Sequence, residues 1–223
     1  MFDGLTVREL PAETACRYAN RYDDRGNRTQ LLLHRGEPLD LALAECHGED
    51  ACVIAPAYHE FTGRLPFCEA PVRAVLLQSA LRATEGEHVV FHHDPLGQAL
   101  PLVSPGAWVF LSVEDAADAD GLARALAERG CHVFVTRAYN GATLFEAASE
   151  RSFAAIPADS VIDPTGAGDC FAAAFVVRLA ESGDVEDAVR FALAAGSCAV
   201  ETTGMSGIPS RDAIERRLAR EAA

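Results

Sequence analysis

Residues 161–171 read VIDPTGAGDCF: Asp163 precedes a Pro-Thr turn, Gly166 and Gly168 flank Ala167, and Asp169 opens an apolar run. The two glycines free the backbone from Cβ clashes, so successive N–H groups can turn toward one point where a helix begins. Unpaired amides of a first helical turn, together with the positive end of the helix dipole, favour a phosphate or a developing negative charge there. Gly166, Ala167 and Gly168 are thus the candidate anion hole. Asp169 starts the same helix and stands next to a site suited to a second anion. A hydroxyl between Asp169 and a bound phosphate can lose its proton to the one and attack the other. Taken alone, G-x-G-D is also an ordinary turn with an acid at a helix start, worth about 0.3–1 kcal/mol of stability. No Gly-Lys-Ser/Thr follows the glycines, so this is not a Walker A loop.

Downstream of the motif, Phe171, Phe175 and Leu179 recur at i, i+4, i+8 and Gly183 ends the run, which predicts a helix. Asp184 opens a second helix with Glu186 and Asp187 in its first turn and Val185, Val189, Leu193, Gly196 and Val200 as its apolar face. A last amphipathic segment over 210–222 has Ser210 as N-cap and Ile214 and Leu218 as its buried stripe. Upstream, strands are expected at 28–33, 51–56, 74–78, 89–92, 107–112 and 132–136. Continuous apolar runs such as CVIAP, AVLLQ, WVFLS and HVFVT suit a parallel sheet covered on both faces. Between WVFLS and HVFVT, Leu122, Leu126 and Ala127 lie at helical spacing before Gly130, completing a βαβ unit. Residues 141–145 and 152–156 read as shorter strands of a meander.

The chain has 223 residues, 49% of them hydrophobic and 23% charged, which suits one globular domain. No apolar run reaches the length of a membrane span, and the acidic opening segment matches no signal or transit peptide. The expected location is the cytoplasm, with no membrane partner. A formal net charge of −14 repels a nucleic-acid backbone, so no nucleic-acid partner is expected, although backbone dipoles can still hold phosphate locally. Seven scattered cysteines without a C-x-x-C pair suit reduced thiols rather than disulfides or zinc.

The string D-P-T-G-A-G-D-x-F, followed by two helices, resembles the second signature of the ribokinase-like (PfkB) carbohydrate kinase family. The resemblance implies an α/β fold, a Rossmann-type sandwich whose mostly parallel central sheet is flanked by helices, with its N-terminal part and lid incomplete. It divides residues 1–223, as a single domain, into remnant lid or substrate-side strands over 1–45 and a nucleotide-binding core over 46–223. The implied activity is transfer of the ATP γ-phosphate to a hydroxyl of a sugar or polyol, with Mg²⁺ and Asp169 as general base. Thr136, Arg137 and Gly141 match the family's T-x-x-x-x-G nucleotide loop. Ser112 and Asp115 stand where N-x-x-E is usual, and the departure puts their nucleotide and metal contacts in question. Residues 78–82, QSALR, are similar to a Q-G-x-x-R stretch of sugar and inositol kinases. Asp163 and Thr165, with Thr202 and Gly204 opposite, are implied to form a monovalent-cation site for K⁺. Lid strands in relatives often form a homodimer.

Three further clusters weigh less. His92-His93-Asp94 is not expected to bind metal, because adjacent strand side chains point to opposite faces. Tyr58-His59-Glu60 follows a strand, where open sheets place ligands. Residues 21–28 read as a solvated turn or lid edge. The family's Gly-Gly motif and its sugar-gripping Asn have no counterpart, and the likeness begins near Thr14 with a lid strand over 26–29. The expectation is therefore an N-terminally truncated member. The alternatives are a degenerate, non-catalytic nucleotide-binding or regulatory protein, and a structural domain that completes its sheet with another chain.

Overall fold

The computed structural model describes residues 12–22, 28–39, 48–60 and 69–221. A six-stranded sheet forms the centre. Its strands β3 (Ala51–Ile54), β4 (Val72–Leu76), β7 (Trp108–Ser112) and β8 (His132–Thr136) run parallel, and β9 (Ala142–Glu146) and β10 (Ser149–Phe153) continue it antiparallel in the order β10-β9-β8-β7-β4-β3. A smaller antiparallel sheet has the order β1-β2-β6-β5, with β1 at Arg17–Tyr22, β2 at Arg28–His34, β5 at Arg82–Glu85 and β6 at His88–Phe91. No helix of the described residues is long and apolar enough to cross a membrane.

Alternation along apolar strands builds two cores. Val109 and Leu111, with Val133 and Val135, face α2 (Ala119–Ala127) and its Leu122, Ala123 and Leu126. Trp108, Phe110 and Phe134 point the other way, onto Phe171, Phe175 and Val176 of α3 (Ala167–Ser182) and Val189 of α4 (Val185–Ala199). Both faces are therefore covered, as the continuous apolar runs predict. The rings fix the direction of α3: Trp108 meets Phe175 at 4.7 Å and Phe110 meets Phe171 at 6.0 Å. The helix thus runs antiparallel to β7, and its N-terminus lies at the carboxyl ends of the strands.

The helix ends follow local chemistry. Gly183 adopts the left-handed conformation and its N–H bonds to the Leu179 carbonyl at 2.8 Å, while the Asp184 side chain accepts from the N–H groups of Glu186 and Asp187. α4 is buried on two sides, one toward the sheet and one toward α5 (Arg211–Glu221), where Phe191, Ala194 and Ala195 meet Ile214. A single apolar face was expected, because only α5 creates the second one. A short helix α1 (Pro95–Ala99), capped by Asp94, was also not anticipated.

The strand expected at 89–92 belongs to the small sheet, not to the central one, and pairs antiparallel with β5 and β2. The small sheet therefore draws two of its four strands from beyond residue 45. His92 and His93 lie past the end of β6, and their rings stack at 4.5 Å instead of pointing to opposite faces. The five cysteines among the described residues, Cys16, Cys52, Cys131, Cys170 and Cys198, are free thiols. Cys46 and Cys68, the opening segment and Gly26-Asn27 of the expected lid lie outside the described residues.

Candidate active site

Gly166 takes φ 84°, a left-handed turn that favours glycine, and from it α3 begins. The Ala167 amide closes this turn on the Pro164 carbonyl at 3.3 Å, and Cys170 N–H reaches the Gly166 carbonyl at 2.9 Å. The amides of Gly166, Gly168 and Asp169 donate to no acceptor among the described residues. Two of the three expected anion-hole residues thus keep a free N–H, and Asp169 adds a third. The Asp169 carboxyl borders a cavity of about 610 Å³ with Thr165 and Gly166, walled by Ala173 and Val177 of α3, Phe191 of α4, and Met205 and Ile208 beyond it. Incomplete hydration there pushes its pKa up, and the nearby Asp115 charge adds to the shift. The carboxyl reaches the cavity although much protein surrounds it.

Asp163 holds two loops together. Its Oδ1 accepts the Thr165 N–H at 2.9 Å and its Oδ2 the Gly204 N–H at 3.3 Å, and these bonds hold the carboxyl below its usual range. Thr165 and Gly204 thus meet at Asp163. Thr202 packs against Gly207, whose missing Cβ would lie 3.2 Å from the Thr202 carbonyl oxygen. Each Asp163 oxygen accepts one N–H bond and keeps a further lone pair.

Ser112 and Thr136 sit side by side where β7 and β8 end, and Val113 N–H bonds to the Thr136 carbonyl at 3.1 Å. In the loop that follows, Ala138 takes φ 49° and Gly141 φ 86°. A Cβ on Gly141 would lie 2.0 Å from the Phe153 carbonyl oxygen, so glycine is needed for packing on β10. Arg137 commits its guanidinium to Asp120 at 2.6 Å and to Thr143 at 3.1 Å, which ties the loop to α2.

Sequence reasoning missed the pairing of Arg82 with Asp115. Both are buried, at 5% and 2% exposure, and their charges meet at 3.3 Å. Asp115 also accepts the Ser112 N–H at 2.8 Å, and Arg82 donates to Gln30 of β2. The small sheet is thereby fastened to the rim that bears Asp169. The QSALR resemblance singled out Arg82, but no local signal named its partner. Both Asp115 oxygens are engaged, and no cluster of three metal-ligating side chains occurs among the described residues.

Residues 106–211, which carry Ser112, the 136–141 loop and the GAGD helix, match the model of the pfkB family carbohydrate kinases. The matched segment is a little under half of the chain. Similarity to individual proteins accompanies that match. The chain is 39% identical over 98 residues to the ribokinase of Bacillus subtilis (strain 168), covering 44% of this chain and 33% of that protein. It is 34% identical over 143 residues to an inositol 3-kinase of Oryza sativa subsp. japonica, covering 60% of this chain and 34% of that protein. The matched stretches thus span about a third of each relative's length. Among solved structures, a pyrophosphate-dependent kinase in the ribokinase family, complexed with a pyrophosphate analog and myo-inositol, has a TM-score of 0.70 at 21% identity. That match covers 93% of this chain and 75% of the other, and it shows that the fold is ribokinase-like.

Proposed function

We propose that the chain carries the phosphoryl-transfer centre of a kinase that moves the γ-phosphoryl group of ATP to a hydroxyl of a sugar or sugar-like polyol. The observation that carries this reading is Asp169, an acid of raised pKa bordering a cavity beside three unpaired amides. The acceptor O–H gives its proton to the Asp169 carboxylate, the alkoxide oxygen bonds to the γ-phosphorus, and the bond to the β-phosphate oxygen breaks to release ADP. The amides of Gly166, Gly168 and Asp169 stabilise charge on the transferred group as it moves. Ser112, Thr136 and the 136–141 loop stand at the strand ends where the donor would lie. Mg²⁺ would be held by phosphate oxygens and water, and would neutralise charge on the donor phosphates.

Sugars and cyclitols are both candidate acceptors, since the matched relatives include a ribokinase and an inositol kinase. The test is a screen for ADP release from ATP over pentoses, hexoses, inositols and nucleosides, run in parallel with pyrophosphate as donor and orthophosphate release as readout. Turnover with ATP and at least one polyol is expected. Retained ATP binding without any turnover would overturn the kinase reading in favour of a non-catalytic nucleotide-binding protein. Turnover with pyrophosphate alone would overturn the donor.

A further inference from the structure

Between β10 and α3, residues 154–166 carry the chain to the Gly166 turn. Residues 154–161 make no backbone-to-backbone hydrogen bond among the described residues. A segment without ladder or helix bonds takes its position from side chains that reach its carbonyls and amides. Here those side chains come from α4, α5 and the turn between them. Arg217 of α5 is 8% exposed, and its guanidinium donates to the Pro157 carbonyl at 2.8 Å, to Ser197 Oγ at 2.8 Å, to Glu201 at 2.6 Å and to Asp159 at 3.5 Å. The Ser197 hydroxyl donates to the same Pro157 carbonyl at 2.9 Å, and the Asp159 N–H donates to Glu201 at 2.6 Å. Further along, the N–H groups of Ile162 and Asp163 both reach the Val200 carbonyl, at 2.7 and 3.1 Å. Val200 and Glu201 are adjacent, so one short stretch past α4 holds the connection at two points, and Arg217 locks that stretch to it.

We infer that Arg217 is a positioning residue for phosphoryl transfer: from α5 it holds residues 157–163 so that the Gly166 turn presents its amides beside Asp169. This role rests on the reading of Asp169 and its neighbouring amides as the transfer centre. Arg217 does not border the Asp169 cavity, so it acts only through the backbone it holds. Amides stabilise a developing charge only when aimed at it, and a misplacement of about 1 Å caused far from the chemistry can cost about 10²-fold in rate. The planar guanidinium suits the task, because its fork of donors can bond a carbonyl, a hydroxyl and carboxylates together, which a single ammonium cannot do in the same geometry. Arg220 also pairs with Asp159, at 2.9 and 3.0 Å, but that pair is exposed and contributes little. The buried member of the cluster carries the lock.

Three variants of the full chain test this: Arg217→Met, which removes every donor, Arg217→Lys, which keeps the charge, and Leu126→Ala, a core truncation in α2 on the opposite face of the sheet. Amide hydrogen exchange reads the lock at Ile162 and Asp163 and the turn itself at Ala167 and Cys170, whose N–H groups bond to the Pro164 and Gly166 carbonyls. In Arg217→Met these four amides should exchange about tenfold faster or more than in Leu126→Ala, which weakens the whole fold without touching the connection. In the ADP-release assay kcat should fall about tenfold or more, with KM for the acceptor within about threefold, because the amides act on the transferred group. Arg217→Lys should recover part of both effects, and Leu126→Ala should keep the kcat of its folded fraction. If Arg217→Met does not fold, Arg217→Lys is compared with Leu126→Ala in its place. Exchange at Ala167 and Cys170 no faster than in Leu126→Ala overturns the inference, as does faster exchange with unchanged kcat. A wild type without turnover would overturn the kinase reading instead, and the exchange comparison would then decide alone whether Arg217 holds the turn.

Discussion

Asp169 and Asp163 lie six residues apart, yet their surroundings shift them in opposite directions. Incomplete hydration beside the cavity and the Asp115 charge disfavour the Asp169 carboxylate, so its folded pKa lies above the ordinary value. At neutral pH the fold therefore loses stability by keeping this group charged. That cost disappears below the ordinary Asp pKa, where folded and unfolded states are both protonated. Asp169→Asn should accordingly raise Tm near pH 7, with a gain that shrinks toward about pH 3, as followed by thermal melts across pH. The same variant should lower kcat by about 10²–10⁴-fold in the ADP-release assay, the usual contribution of a general base. The acidic limb of kcat/KM should lie above the ordinary Asp pKa. For Asp163, N–H bonds from Thr165 and Gly204 lower the pKa, so its contribution is present above the ordinary carboxylate pKa and lost as pH falls through the folded value. Asp163→Ala should lower Tm near pH 7, and by progressively less in acid.

Between elements, the buried Arg82–Asp115 pair decides how the small sheet is fastened to the central one. Removing one partner leaves the other charge buried and uncompensated, a loss of about 3–5 kcal/mol. Arg82→Met and Asp115→Leu should each cost this much in urea unfolding, and the double variant should recover most of it because neither charge is then stranded. Gly141 is a second joint, where the 136–141 loop presses against β10 with no room for a Cβ. Gly141→Ala should destabilise the fold by about 1–3 kcal/mol, and should raise KM for ATP if the loop lies along the donor. A donor-binding role and a packing role are thus distinguishable: a purely structural glycine would move stability alone.

Across the whole molecule, one aromatic cluster holds the proposed active site in place. Phe175 is fully buried and meets Trp108 at 4.7 Å, Phe134 at 4.9 Å and Phe110 at 5.7 Å. Phe175→Ala should cost about 3–5 kcal/mol in urea unfolding, and should depress activity of the folded fraction if α3 shifts on the sheet.

The central sheet was legible in the chain because its strands are buried on both faces and write themselves as WVFLS and HVFVT, while α3 and α4 announce themselves by period and caps. The GAGD turn was legible for a related reason: left-handed backbone and a helix start are local events set by neighbouring residues. β1 and β5 were not legible, since RYANRY and RATE have little apolar signal and become strands only by pairing across the small sheet. The same holds for β6, whose HVVF reads as a core strand until its partners are known. Side-chain meetings across long separations, such as Arg82 with Asp115 and Arg217 with Glu201 at 2.6 Å, carry no periodic trace at all. Sequence by itself therefore determined the parallel core, the helix starts and the acid beside a glycine turn, because propensity, capping and burial pattern act within a few residues. Only the tertiary structure decided which strands form the second sheet, which amides stay free among the described residues and that the Asp169 pKa is raised, because those depend on groups that only folding brings together.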